Sequence, residues 1–175
     1  MTVDIDAMED CSCPPRPSDP DEQLACPVSG TPGHAVALTT VKAMLGPSAL
    51  ARLTGEAYRF CPDPGCDVVY FTPGNVYRVR DVRVPVWQKQ PFGERTVCYC
   101  FGENEAEIRR EFEAHGASSA VERVRSHIAA GRCACEARNP RGVCCLGDVI
   151  AAVERVTASV HADAQRGILG RPTPD

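Results

Sequence analysis

The chain has 175 residues, 43% of them hydrophobic and 24% charged, a make-up that fits a globular protein of one ordinary domain or two small ones. A net charge of -4 and a pI near 5.6 exclude the basic footprint of a nucleic-acid binder. No stretch approaches the roughly 18 apolar residues of a membrane span, and the acidic start MTVDIDAMED has no apolar secretory core, so a cytoplasmic location is expected. The outlier is the count of eleven cysteines. In a reducing compartment thiols at that density point to metal rather than to disulfides.

Residues 1–25 are rich in Pro, Asp and Ser and carry Cys11 and Cys13. They offer too little apolar surface to offset their own ordering entropy, so this arm is expected to be disordered unless a metal pins it. Cys26 then opens CPVSGTPGHAVAL, where Pro27, Gly30, Pro32 and Gly33 force a tight turn before an extended stretch, Ala35 to Leu38. PSALARL, with Pro47 at its first helical position, reads as a short helix.

Tyr58 to Phe60 reads as a strand, Cys61 to Cys66 as a cysteine-bounded turn, and Asp67 to Phe71 as a second strand. A turn at Thr72 to Asn75 leads to a third strand, Val76 to Val79. The C-x4-C pair lies at the edge of the spacing of zinc knuckles, and with Cys26 it supplies three thiolates where a structural zinc site wants four ligands. Position 29, where a zinc ribbon would place a cysteine, is Ser29. The fourth ligand is therefore sought in Cys13 or Cys11 on the arm, in His34, or in Asp63, with the arm preferred because a position left open suits catalysis better than structure.

From Asp81 to Thr96 the chain is broken by Pro85 and Pro91 and reads as an extended linker, with Trp87 as an anchor between two halves. Beyond it come three helical patterns. The first is ENEAEIRREFEAHG, with an Asn104-x-x-Glu107 capping pattern and Gly116 as its stop. The second runs from Ser119, with Glu122 completing a capping box, to Gly131, and the third starts near Gly147. A disordered tail is expected from residue 164. His115 suits a helix C-terminus, while His127 and His161 read as solvated positions.

The second group of thiols frames this helical part. Cys98 and Cys100 stand in VCYCFG; Cys133, Cys135, Cys144 and Cys145 stand within thirteen residues around an Asn139-Pro140-Arg141-Gly142 turn. Taken as ligands, Cys98, Cys100, Cys135 and one of Cys144 or Cys145 match neither the plant-type nor the bacterial ferredoxin spacing. The case for a [2Fe-2S] cluster is physical. Such a centre with four thiolates is anionic, both loops are expected to run straight into helix N-termini, and the unsatisfied N–H groups there stabilise anions. Zinc is the blander occupant of the same four thiolates. Of the adjacent pair, Cys145 is favoured, because it directly precedes the third helix while Cys144 is one residue further from that dipole and would point the other way.

VCYCFG, then NPRGVCCLG, preceded by FC-x4-CDVVYF, resembles the N-terminal domain of archaeal-type CopZ copper chaperones and their stand-alone bacterial relatives. The resemblance covers about residues 26–160. It implies an α+β protein: a small zinc-binding, β-rich half over residues 26–96, then a helical [2Fe-2S] domain over 97–163 similar to bacterioferritin-associated ferredoxin. It implies zinc at Cys26, Cys61 and Cys66, and the cluster at Cys98, Cys100, Cys135 and Cys144 or Cys145, with no counterpart for Cys133. The family's separate C-terminal copper-binding domain is not matched, so copper delivery in its usual form is not expected.

These residues support an iron-sulfur and zinc protein that transfers one electron at a time in copper or mercury handling, with a redox or metal-handling protein as partner. One alternative is a metallochaperone holding Cu+ or another soft ion on the spare thiols Cys11, Cys13 and Cys133. A further one is a structural interaction module. No hydrolytic constellation and no phosphate-binding glycine loop marks an enzyme.

Overall fold

The computed structural model describes residues 24–169; Cys11, Cys13 and the remainder of the arm, and residues 170–175, lie outside the described residues. Four short strands, β1 (His34–Val36), β2 (Tyr58–Phe60), β3 (Val68–Phe71) and β4 (Val76–Arg78), form an antiparallel meander in the order β1-β2-β3-β4. All four residues of β3 are fully buried, because apolar groups cover both faces of the sheet there. Val69 and Tyr70 join the core made with Val41, Met44, Leu45, Tyr58 and Tyr77, while Val68 and Phe71 pack with Cys26, Cys61 and Cys66. Strict alternation would not place Val69 and Tyr70 on one side. A register shift against β4 between Val68 and Tyr70 accounts for the switch.

The stretch expected to stay extended through Leu38 turns after Val36 into α1 (Leu38–Met44). LTTVKAM has modest helix propensity, and burial of Thr40, Val41 and Met44 against the sheet is what holds it. Helix α2 (Pro47–Leu50) begins at Pro47 as read from the sequence. The expected linker is less extended than its prolines suggest, since Val79–Asp81 and Trp87–Lys89 each form a 3-10 turn. The Trp87 N–H donates to the Tyr99 hydroxyl at 2.9 Å, which in turn donates to the Pro85 carbonyl at 2.8 Å. The Arg95 and Arg155 guanidinium groups each lie 5.8 Å from the centroid of the Trp87 ring.

The helical part opens with a hairpin that the sequence reading missed, β5 (Thr96–Cys98) and β6 (Glu103–Asn104). Helix α3 (Glu105–His115) is capped as expected: Asn104 accepts from the Glu107 N–H at 2.9 Å and its amide donates back to the Glu107 carboxylate at 3.0 Å. Helix α4 (Ala120–Ala129) lacks the expected Ser119 capping box. Arg123 takes the Ser119 hydroxyl at 2.6 Å, and the Glu111 carboxylate, reaching over from α3, accepts the Ser119 N–H at 3.1 Å. After the one-turn α5 (Cys135–Arg138) comes α6 (Leu146–Leu169), whose Val149, Ala152 and Val156 form the buried stripe against which Ile108 of α3 and Val124 of α4 pack. Helix α6 continues past residue 164, where a disordered tail was expected.

The two parts meet at the Asn139–Gly142 turn. The Tyr70 hydroxyl on β3 donates to the Pro140 carbonyl at 2.6 Å, and α5 lies against α1. Gly142, at φ 68°, presses so close to α1 that a Cβ there would fall 2.6 Å from the Thr40 hydroxyl oxygen. No helix among the described residues is long and apolar enough to cross a membrane.

Candidate metal centres

Cys26 sits in a turn closed by its own backbone: its N–H donates to Thr31 and its carbonyl accepts from Gly30, both at 2.8 Å. Gly30 completes this knuckle with φ 71°, a conformation that suits glycine. Cys61 directly follows β2 and Cys66 lies two residues before β3, so the sheet carries both sulfurs to the knuckle. The ligand atoms of Cys26, Cys61 and Cys66 all lie within 4.8 Å of one another, and all three residues are buried. The 3.9 Å between the Cys26 and Cys66 sulfurs fits an edge of about 3.8 Å, which a tetrahedron with Zn–S bonds of about 2.3 Å requires. The residues present therefore fit a zinc ion.

Burial pushes the Cys26 thiol up, but the N–H groups of Ser29 and Val28 outweigh it and hold it below the ordinary thiol value. Burial prevails at Cys61 and raises it, against the Ser29 hydroxyl, the Asp63 N–H and the Lys89 charge. Lys89 is held beside this loop by donating to the Asp63 carbonyl.

The sequence-based candidates for a fourth ligand fare differently. His34 is exposed on β1 and lines a small cleft with Phe60, Arg141 and Val143. The Asp63 carboxylate caps its own turn, accepting from the Gly65 N–H at 2.8 Å and from the Thr31 hydroxyl at 3.5 Å. Neither joins the three thiols within 4.8 Å. Cys13 and Cys11 lie outside the described residues. The group that does stand at the thiols is Ser29, whose hydroxyl oxygen is 3.5 Å from the Cys61 sulfur. The CPxSG spacing was the signal that could have nominated it, since serine replaces cysteine there at nearly equal volume.

In the helical part the structure brings Cys98, Cys100, Cys135 and Cys145 together from three elements: β5 and the turn after it, the start of α5, and the residue before α6. The sulfurs are arranged in pairs, Cys98 with Cys145 at 2.8 Å and Cys100 with Cys135 at 3.9 Å. The Ala134 N–H points at the Cys100 sulfur at 3.4 Å. Cys144 is half-buried beside Cys135, and Cys133 is half-buried against the same core. None of the nine described cysteines forms a disulfide.

Cys145 is pulled down to about 4 by its hydrogen bonds with Cys135 and Cys98, and Cys100 to about 7 by its bond with Cys135. Cys98 is raised by its bond with Cys145 and by burial, and Cys135 by its bonds with Cys100, Cys144 and Cys145. Cys145 directly precedes the N-terminus of α6. The first ligand loop does not run straight into a helix as expected, because β6 intervenes between Gly102 and α3.

The loop from Cys135 to Cys145 is built on Asn139, only 1% exposed. Its amide donates to the Val143 carbonyl at 2.7 Å and its oxygen accepts the Arg141 N–H at 3.0 Å. Arg141 in turn grips both Asp148 oxygens at 3.0 and 3.1 Å, tying the turn to α6. The sequence marked this stretch only as a turn. One histidine departs from expectation: His127 is half-buried and stacks on Phe101 at 4.0 Å between centroids, whereas His161 is exposed as expected and meets Phe112 edge-on at 5.5 Å.

A CopZ-type family model described as "Zinc binding domain" matches residues 23–83. The copper chaperone CopZ of Archaeoglobus fulgidus is 32% identical over 123 residues, 70% of this chain and 58% of that protein, so the alignment spans less than two thirds of the relative's length. The X-ray structure of the Archaeoglobus fulgidus CopZ N-terminal domain is similar with a TM-score of 0.57 at 29% sequence identity, covering 70% of this chain and 92% of that one. The chain thus resembles the CopZ N-terminal domain, and it is a mixed α+β protein with a β-sheet N-terminal region and a helical C-terminal part.

Proposed function

We propose that this protein, similar along 70% of its length to a copper chaperone, handles soft metal ions as a metallochaperone. The observation that carries this reading is the thiol-rich face of the helical part. There Cys133 and Cys144, both half-buried, flank four thiols of which Cys98, Cys135 and Cys145 are buried and Cys100 is half-buried. Cu+ is a soft ion and prefers thiolates, and thiolates that reach the surface can pass it on by ligand exchange without a change of oxidation state. Each thiol that takes the ion releases one proton. Zinc would be held at Cys26, Cys61 and Cys66, where it ties β2, β3 and the knuckle together. Similarity to a copper chaperone supports this reading ahead of the one-electron carrier favoured from the sequence.

A second reading keeps a [2Fe-2S] cluster at Cys98, Cys100, Cys135 and Cys145, with Cys144 as the neighbouring alternative ligand. The gathering of these four sulfurs in one core supports it, since a two-iron centre takes four thiolates. When bound, such a cluster would supply reversible one-electron chemistry.

One preparation tests both. Protein purified without air is assayed for zinc, iron and copper, then titrated with Cu+ against a chromogenic chelator. The chaperone reading expects Cu+ to be withdrawn from the chelator and this capacity to fall in a Cys133→Ser/Cys144→Ser chain. No uptake by the native chain would overturn it. About two irons per chain with a visible spectrum that bleaches on reduction would establish the cluster.

A further inference from the structure

The knuckle of the N-terminal centre reads Cys26-Pro27-Val28-Ser29-Gly30, and Ser29 stands at its tip. Its hydroxyl oxygen lies 3.5 Å from the Cys61 sulfur and accepts the Thr31 N–H at 3.3 Å. A tetrahedral ion with Zn–S of about 2.3 Å and Zn–O of about 2.1 Å has a sulfur-to-oxygen edge of about 3.6 Å. The distance therefore suits a shared ion, just as the 3.9 Å between the Cys26 and Cys66 sulfurs does. The three buried sulfurs lie within 4.8 Å of one another with the Ser29 hydroxyl against one of them, Cys61, and the nearby carboxylate of Asp63 is turned to Gly65 and Thr31.

We propose that Ser29 Oγ is the fourth ligand of this centre, making it a three-sulfur, one-oxygen site. The inference rests on the reading of Cys26, Cys61 and Cys66 as metal ligands. Coordination through an oxygen lone pair breaks no bond at Ser29, and the Thr31 N–H fixes the hydroxyl in place. An oxygen corner suits a borderline divalent ion such as zinc and holds it less firmly than a fourth thiolate. The arm is then not needed to close the site.

Cobalt(II) is the probe, because its thiolate charge-transfer intensity grows with the number of sulfur ligands and its d–d bands report the fourth donor. It is loaded into the full-length native chain and into Ser29→Cys, Ser29→Ala and Cys11→Ser/Cys13→Ser chains, so that the helical thiols cancel in difference spectra. The expected result is one added thiolate for Ser29→Cys and unchanged intensity for Cys11→Ser/Cys13→Ser. For Ser29→Ala, the d–d bands shift on adding imidazole, a response the native chain lacks, and zinc binds about tenfold or more weakly by chelator competition. Loss of one thiolate's intensity in Cys11→Ser/Cys13→Ser, or an unchanged spectrum and zinc affinity in Ser29→Ala, overturns the assignment. A Cys61→Ser chain separates the premise from the inference: if it keeps its full zinc content, the three-thiol centre itself is wrong.

Discussion

The Tyr70 hydroxyl, on an inner strand of the sheet, donates a 2.6 Å hydrogen bond to the Pro140 carbonyl, in the turn that separates the last two groups of cysteines. This bond is buried and joins residues seventy positions apart. It makes the geometry of the Cys135-to-Cys145 loop depend on the sheet-bearing half.

Replacing Tyr70 by Phe keeps the ring and strands a buried carbonyl. The expected loss is about 1–3 kcal/mol of stability, the cost of an unpaired buried polar group. Urea unfolding measures the loss, and metal retention at the helical thiols should fall with it. An unchanged midpoint would show that Pro140 finds another donor.

Gly142 and Gly147 flank the Cys144–Cys145 pair and should respond in opposite ways to alanine. At Gly142 the left-handed backbone alone costs roughly 1–2 kcal/mol for an L-residue, before the Cβ meets the Thr40 side chain. At Gly147, in the first turn of α6, nothing lies within 4 Å of the added carbon, and alanine should be neutral or stabilising. Thermal unfolding of the two variants side by side provides the measurement. Equal effects would remove the close approach of the turn to α1.

Cys145 is buried and paired with Cys98 at 2.8 Å, whereas Cys144 is half-buried. Cys145→Ser should therefore abolish stable metal loading of the helical centre, while Cys144→Ser keeps it and loses only surface thiol capacity. Metal content and the absorption spectrum after anaerobic loading distinguish the two. The reverse pattern would exchange their roles.

Glu111 supplies the pH dependence. Burial works against its ionisation, but the Ser118 hydroxyl, Arg123 and the Ser119 N–H prevail and hold it below its ordinary value of 4.5. A carboxyl depressed by folding stabilises the folded state fully above its unfolded pKa and loses that contribution as pH falls through the lowered value. The stability gap between the native chain and Glu111→Gln should thus be constant near neutrality and close on acidification below about pH 4.5. Denaturant midpoints measured from pH 7 down to pH 3 provide the check, and a gap that widens in acid contradicts the assignment.

Local signals were legible in the sequence wherever neighbouring residues settle the structure. The strands at Tyr58–Phe60 and Val68–Phe71 followed from apolar, β-favouring runs between turn residues, and the Asn104 cap from the spacing of one side chain to a nearby N–H. The gathering of Cys26, Cys61 and Cys66 also followed, because two knuckle-like turns beside strands leave few other arrangements. The α1 helix was not legible: its propensity is weak, and only burial against the sheet makes it form. The Ser119 box failed because Arg123, one turn on, and Glu111, reaching over from α3, take the Ser119 hydroxyl and N–H.

What tertiary structure alone decided concerns relations across the chain: Ser29 against Cys61, Cys98 against Cys145, Tyr70 against Pro140. Each brings together groups more than thirty positions apart, and spacing along the backbone carries no information about such distances once two cores have packed against one another. The sequence determined which residue types could bind metal and that they fall into two groups. The packing of the sheet on α1, and of the Asn139–Gly142 turn on both, decided which sulfurs face each other, because only close-packed cores hold side chains to the few tenths of an ångström that a coordination site requires.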